Sequence, residues 1–171
     1  MNTPEDTARC PGCGLVVQTR ELAAAPGGPA AAGCFALFGE LLAASYTDPA
    51  RRALHQLIVD AYTAQHAGGA SRREVQAVAI CLMTLHLFLE RGIDPRQGPA
   101  LHKTMVGGTV AFRRLEPPPP EDGAPTVADV LSPDEGYEQR VTSWAEAVWS
   151  TWIPHHETVR AWTRTALEDA G

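Results

Sequence analysis

Cys10-Pro11-Gly12-Cys13-Gly14 is the segment of this 171-residue chain whose residue types and spacing point most directly to chemistry. Two thiolates at this spacing both reach one tetrahedral Zn²⁺ at about 2.3 Å, and a tight Pro/Gly turn between them aims backbone N–H groups at sulfur. A thioredoxin-type redox pair uses the same spacing, but it usually follows a strand and opens a helix. Here a polar terminus precedes the pair and Gly/Pro-rich sequence follows it as far as Gly33. That context favours metal over redox exchange, and a structural disulfide in an intracellular chain is less favoured still.

A closed zinc site needs two further ligands, and the sequence has no second Cys-x-x-Cys. Taken singly, Cys34 reads as a small buried hydrophobe and His66 as a helix-terminal cation offsetting the macrodipole. Both stand at helix ends, however. If the first two helices form an antiparallel hairpin about Tyr46 to Asp48, the start of the first lies beside the end of the second. Cys34 then falls near Tyr62 and His66, and the loop from Gly14 to Gly33 is long enough to fold the knuckle back onto that end. The expected ligand set is Cys10, Cys13, Cys34 and His66, holding Zn²⁺.

The remaining histidines suggest a second group. His55 stands eleven residues before His66, about 16 Å along one helix, too far to share its ion. An antiparallel third helix sets His55 level with Cys81 and within reach of His86, whose buried imidazole must find a partner or cost about 1–3 kcal/mol. His155 and His156 follow a break at Pro154, and at most one of them faces inward. One reading is a bundle-core site of His55, His86 and His155 or His156, with Asp60 and Tyr62 nearby for proton transfer or orientation. The other is a set of satisfied core and surface histidines. His102 and Lys103 stand at the mouth of that expected site.

The elements that must position these residues are helices. Phe35, Phe38, Leu41 and Leu42 recur at helical spacing from Cys34 to Tyr46. Asp48-Pro49 restarts the chain as N-cap and first helical residue, opening a second helix to His66. Ser71 with Glu74 is a capping box for a third helix, apolar nearly all round, that runs to about Arg91 and belongs at the centre of a bundle. Residues 93–125 read as an irregular connector, with a short strand from Thr109 to Arg114 and a semi-rigid spacer at Pro117 to Pro120. Residues 126–131 suit one or two helical turns, 133–152 a helix carrying Tyr137, Val141, Trp144, Val148 and Trp152, and Val159, Trp162 and Ala166 continue the pattern beyond Pro154.

Several of these segments together resemble a family of small uncharacterised bacterial proteins, a domain of unknown function. They are Cys10-Pro-Gly-Cys-Gly14, Cys34 with the Phe35 to Leu42 helix, His55-Gln-Leu-Ile-Val-Asp-Ala-Tyr-Thr-Ala-Gln-His66, Leu115-Glu-Pro-Pro118, Thr126-Val-Ala-Asp-Val-Leu131, and Trp152-Ile-Pro-His-His156 with Val159-Arg160-Ala161-Trp162. The resemblance implies a shared fold and carries no activity or catalytic residue.

Composition sets the remaining bounds. A hydrophobic share of 44% and a charged share of 20% suit a single globular domain. Fourteen basic against twenty acidic side chains, a net charge of −6, argue against a wide phosphate-gripping surface and hence against nucleic acid as partner. No apolar run is long enough for a membrane span, and Met1 to Asp6 lack the basic-then-apolar pattern of a leader, so a cytoplasmic protein is expected. There is no Gly-x-Ser-x-Gly elbow, phosphate loop, dinucleotide fingerprint or His-Glu-x-x-His.

The expectation is an all-α bundle of about five helices in one domain. Residues 1–33 form a zinc knuckle and loop, 34–92 a three-helix core, 93–125 the connector and 126–171 the C-terminal helices. A structural Cys₃His zinc would make it a binding or accessory module. The alternative is a small-molecule metalloenzyme with a His-lined site in the bundle, three ligands then leaving water to be activated. A redox protein using Cys10 and Cys13 is the third reading.

Overall fold

The computed structural model describes residues 6–25, 28–133 and 135–170. Residues 1–5, which bear on the expected absence of a leader, and Pro26 and Gly27, which punctuate the N-terminal loop, lie outside the described residues. Among the described residues no helix is long and apolar enough to cross a membrane.

The protein is an all-α bundle. Eight α-helices are present among the described residues: α1 (Ala32–Ser45), α2 (Pro49–Arg52), α3 (His55–Gln65), α4 (Arg72–Leu89), α5 (Gly98–Gly107), α6 (Val127–Val130), α7 (Tyr137–Thr151) and α8 (His156–Glu168). About five were expected, and the difference has local causes. The expected helix from Pro49 to His66 is divided where Leu54 N–H bonds to Arg51 C=O at 3.1 Å, a three-residue closure that tightens the turn between α2 and α3. The connector expected to be irregular contains α5. Asp94 caps a 3₁₀ turn at Pro95–Gln97 by accepting from Arg96 N–H, and Gly98 and Pro99 then start ten helical residues. Pro95 is therefore the entry to the next helix.

The start and stop signals otherwise act as their chemistry requires. Asp48 accepts from Arg51 N–H at 2.9 Å. Ser71 and Glu74 satisfy each other's backbone N–H groups at the start of α4, and Thr126 and Asp129 do the same at α6. Gly136, at φ +87°, turns the chain into α7 in a conformation that side-chain-bearing residues rarely adopt.

The amphipathic stripes meet where the sequence places them. α3 packs on α4 and α7, and α4 also receives α5 and α8. Leu41, Ile58, Leu82, Met83, Leu85, Val141, Trp144, Trp152 and Val159 fill the centre. Each such side chain contributes roughly 1.5–3 kcal/mol by leaving water. Trp144 Nε1–H donates to Gln65 Oε1 at 3.0 Å, and Gln65 Nε2 donates onward to the Pro125 carbonyl at 2.9 Å. One side chain thereby ties α3 to α7 and to the end of the connector.

The N-terminal segment carries two short strands, β1 (Thr7–Arg9) and β2 (Val16–Gln18), paired antiparallel with Ala8 opposite Val17. The Cys-Pro-Gly-Cys-Gly run is thus the loop of a small hairpin. Thr109 to Arg114 forms no strand. Pro117 to Pro120 is an extended spacer that passes beside the hairpin, where Pro120 lies against Gly14 and Arg9 pairs with Asp122 at 3.1 Å.

Candidate metal centre

Three elements bring four side chains to one end of the bundle. Cys10 and Cys13 come from the hairpin loop, which is closed by Cys10 N–H to Leu15 C=O and Gly14 N–H to Cys10 C=O, both at 2.8 Å. Gly14 sits at φ +77°, so the residue after the second cysteine makes a left-handed turn that favours glycine. Cys34 lies in the first turn of α1, and His66 caps the C-terminus of α3. Between hairpin and α1 the loop folds onto itself through Ala25 N–H to Ala30 C=O and Ala32 N–H to Ala23 C=O.

All four residues are buried, with Cys34 completely enclosed. Their donor atoms lie within 4.8 Å of one another. Cys13 Sγ is 3.6 Å from Cys34 Sγ, and Cys34 Sγ is 3.3 Å from His66 Nε2. Cys10 Sγ accepts from Ala31 N–H at 3.3 Å, which brings the partly positive N-terminus of α1 to the sulfurs. His66 Nδ1 is 2.8 Å from the Tyr62 carbonyl. A carbonyl only accepts, so Nδ1 carries the proton and Nε2, the nitrogen facing the cysteines, holds a free lone pair.

A wall of rings backs this arrangement. Tyr62 stacks on Phe38 at 3.8 Å and on His66 at 4.0 Å, and its hydroxyl donates to Cys34 Sγ at 3.8 Å. Burial, with the Cys34 charge beside it, raises the Tyr62 pKa, so the phenol stays a donor. The thiols show what the cluster lacks on its own. Hydrogen bonds from Cys13 and Cys34 lower the Cys10 pKa, while the same sharing with Cys10 raises Cys13 and pushes Cys34 up to about 12. Three ionised sulfurs at this separation need a cation among them. The cluster is geometrically compatible with a structural zinc site, three sulfurs and one imidazole nitrogen being an ordinary closed set for that metal.

The second expected group does not assemble as one site. His55 sits at the start of α3 against α1, with Ser45 Oγ 2.7 Å from its Nδ1 and Tyr46 Oη 3.2 Å from its Nε2. Burial lowers its pKa, helped by the nearby Arg52 charge. His86 Nδ1 instead meets Glu90, one turn along its own helix, at 2.8 Å. Trp149 stands between His86 and His156, 6.2 Å from the first ring and stacked on the second at 3.8 Å. His155 faces the connector, its Nε2 3.0 Å from the Glu116 carbonyl. Tyr62 belongs to the Cys₃His cluster.

Asp60 lies elsewhere again, fully buried between α3, α4 and α5. It accepts from Thr84 Oγ1 at 2.6 Å and Gln56 Nε2 at 2.9 Å, and His102 Nε2 is 3.0 Å from its carboxylate. Cys81 completes this group; its thiol pKa is raised well above the ordinary value by burial and then by the Asp60 charge. His55 is therefore not level with Cys81; the residue that is, one and a half turns further along α3, is Asp60. The grouping of Asp60, Cys81 and His102 was missed in the sequence because it depends on α5, which the Pro and Gly residues around 95–99 concealed.

Residues 8–153 match the model of a family described as a family of unknown function (DUF5946). No curated protein and no solved structure matches the chain.

Proposed function

Since the chain belongs to the family described as of unknown function (DUF5946), whose description supplies no activity, we propose from the geometry of the centre that Cys10, Cys13, Cys34 and His66 bind one Zn²⁺. Its role is structural, and the protein acts as a binding or accessory module in the cytoplasm. The observation that carries this reading is the orientation of the His66 ring. Its Nδ1–H is spent on the Tyr62 carbonyl while Nε2 points into three sulfurs, the orientation that metal-bound imidazoles need from their outer partners.

Four protein ligands fill a tetrahedral zinc and leave no position for water, which supports a structural role over hydrolytic chemistry at this centre. When bound, the ion supplies a positive charge that lets three thiolates sit together. The chain's own residues do the rest: Ala31 N–H and the start of α1 hold Cys10, and Tyr62 orients both Cys34 and His66. What the ion gains for the fold is the N-terminal hairpin and loop, which bury few large side chains of their own.

Zinc content of the purified protein tests the proposal, together with X-ray absorption at the zinc edge. The expected result, in a Cys81→Ala background so that only this centre contributes to the spectrum, is a first shell of three sulfurs and one nitrogen whose signal is lost on adding Cys10→Ser. Zinc content unchanged by that substitution, or no sulfur in the shell, would overturn it.

A further inference from the structure

We infer that Asp60, Cys81 and His102 form a second, independent transition-metal site with an open coordination position. Each ligand comes from a different helix: Asp60 from α3, Cys81 from α4 and His102 from α5. One donor atom from each lies within 4.8 Å of the other two. Gly98 enables the approach of α5, since a Cβ there would stand 2.2 Å from Gln56 Cγ, and His102 is on the same face one turn later.

The donor set and burial of the cluster suit a cation. Asp60 is fully enclosed, with the buried Cys81 beside it. Its Oδ1 accepts from Gln56 Nε2 at 2.9 Å and lies 3.0 Å from His102 Nε2, while its Oδ2 accepts from Thr84 Oγ1 at 2.6 Å. A carboxylate and a thiolate together out of water are costly unless a positive charge balances them. A metal ion held by the carboxylate, the imidazole lone pair and the Cys81 thiolate supplies that charge, leaving Gln56 and Thr84 to orient Asp60 as outer partners.

A mixed oxygen, nitrogen and sulfur set suits Zn²⁺ or a close first-row relative and excludes Mg²⁺ and Ca²⁺, which take oxygen ligands. Three protein ligands leave one position for water or a small anion. His102 is the partly exposed member, at 27% of its side chain. Gln56, beside it, also lines a cavity of about 500 Å³ with His55, Arg52 and Arg96, so one side chain separates the cluster from a basic cleft.

The site shares no residue with the Cys₃His cluster, so the two are tested separately. Full-length protein is loaded with excess Zn²⁺ and desalted, and its zinc measured per chain. Cys81→Ala and His102→Gln are each expected to lose about one equivalent with helical circular dichroism retained, whereas Cys34→Ser loses the other equivalent and keeps this one. Unchanged zinc in folded Cys81→Ala and His102→Gln overturns the inference. A spectrum of the wild-type chain loaded with ¹¹³Cd²⁺ keeps the test open if those variants fail to fold. A one-thiolate resonance well upfield of the three-thiolate one is expected, and its absence overturns the inference equally.

Discussion

His66 donates its Nδ1–H to the carbonyl oxygen of Tyr62, four residues back in the same helix, at 2.8 Å. That bond makes the last turn of α3 part of the Cys₃His cluster. It fixes the ring's tautomer and aims Nε2 at Cys34, while the Tyr62 side chain, on the same residue, stacks on the imidazole and donates to the Cys34 sulfur. Helix end, ligand and supporting hydrogen bonds are therefore set by one stretch of sequence from Tyr62 to His66.

Removing zinc should unfold one end of the protein and spare the rest. The hairpin and loop are held by short backbone pairings and the cluster, whereas α3, α4 and α7 share a core of Ile58, Leu82, Leu85, Trp144 and Val141. Metal binding and local folding are linked in such a segment. Hydrogen exchange after chelation is expected to show loss of amide protection from Thr7 to the first turn of α1, with α4 and α7 still protected. Uniform loss, or no loss, would contradict this.

Gly12→Ala should weaken the same centre from the loop side. A Cβ at Gly12 would come within 2.4 Å of His66 Cδ2 and 3.1 Å of its Cα, so the imidazole and the backbone behind it would both have to move. Overpacking of this kind costs about 1–3 kcal/mol. We expect a lower Tm and faster loss of zinc to a competing chelator, the two changing together, with helical content at low temperature near that of the wild type.

Tyr62→Phe and Tyr62→Leu separate the hydroxyl from the ring. The phenylalanine keeps the stack between Phe38 and His66 and loses only the bond to Cys34 Sγ. Zinc affinity should fall roughly tenfold, the lower end of what outer-shell partners contribute, with Tm little changed. The leucine also forfeits ring stacking worth about 0.5–1.5 kcal/mol per pair. It should lower Tm even in zinc-saturated protein. Equal behaviour of the two variants would show that the ring contributes nothing beyond its volume.

The Cys₃His cluster was legible in the sequence because each ligand stands beside a signal that fixes its place: the Pro-Gly turn between Cys10 and Cys13, and the two ends of a helix hairpin for Cys34 and His66. The hairpin strands were not legible, since three residues on each side carry too little alternation to register. The histidines of the bundle failed for a different reason. Helix register places residues level with one another but does not say which partner an imidazole takes, and His86 took Glu90 on its own helix. The second metal group needed α5, whose Asp94-Pro95 and Gly98-Pro99 look like loop chemistry until the capping bond from Arg96 N–H to Asp94 is seen.

Glu90 gives the bundle an acid-sensitive joint at the end opposite the start of α4. Its carboxylate accepts from Arg160 Nε at 3.0 Å and Nη2 at 2.7 Å, from Trp149 Nε1 at 3.0 Å and meets His86 Nδ1 at 2.8 Å, joining α4 to α7 and α8. The Arg160 bonds, aided by Trp149 and His86 against the cost of burial, lower its pKa from about 4.5 to about 2. A carboxylate whose pKa falls on folding stabilises the protein fully above its unfolded pKa and loses that contribution as pH drops toward the folded one. Glu90→Gln should therefore be less stable than wild type at pH 7, by about 1–3 kcal/mol for lost charge-assisted bonds. The gap should narrow steadily below about pH 4.5. Denaturant unfolding of both proteins across that range measures it, and a gap that stays constant or widens in acid would mean that Glu90 contributes packing and neutral hydrogen bonds rather than charge.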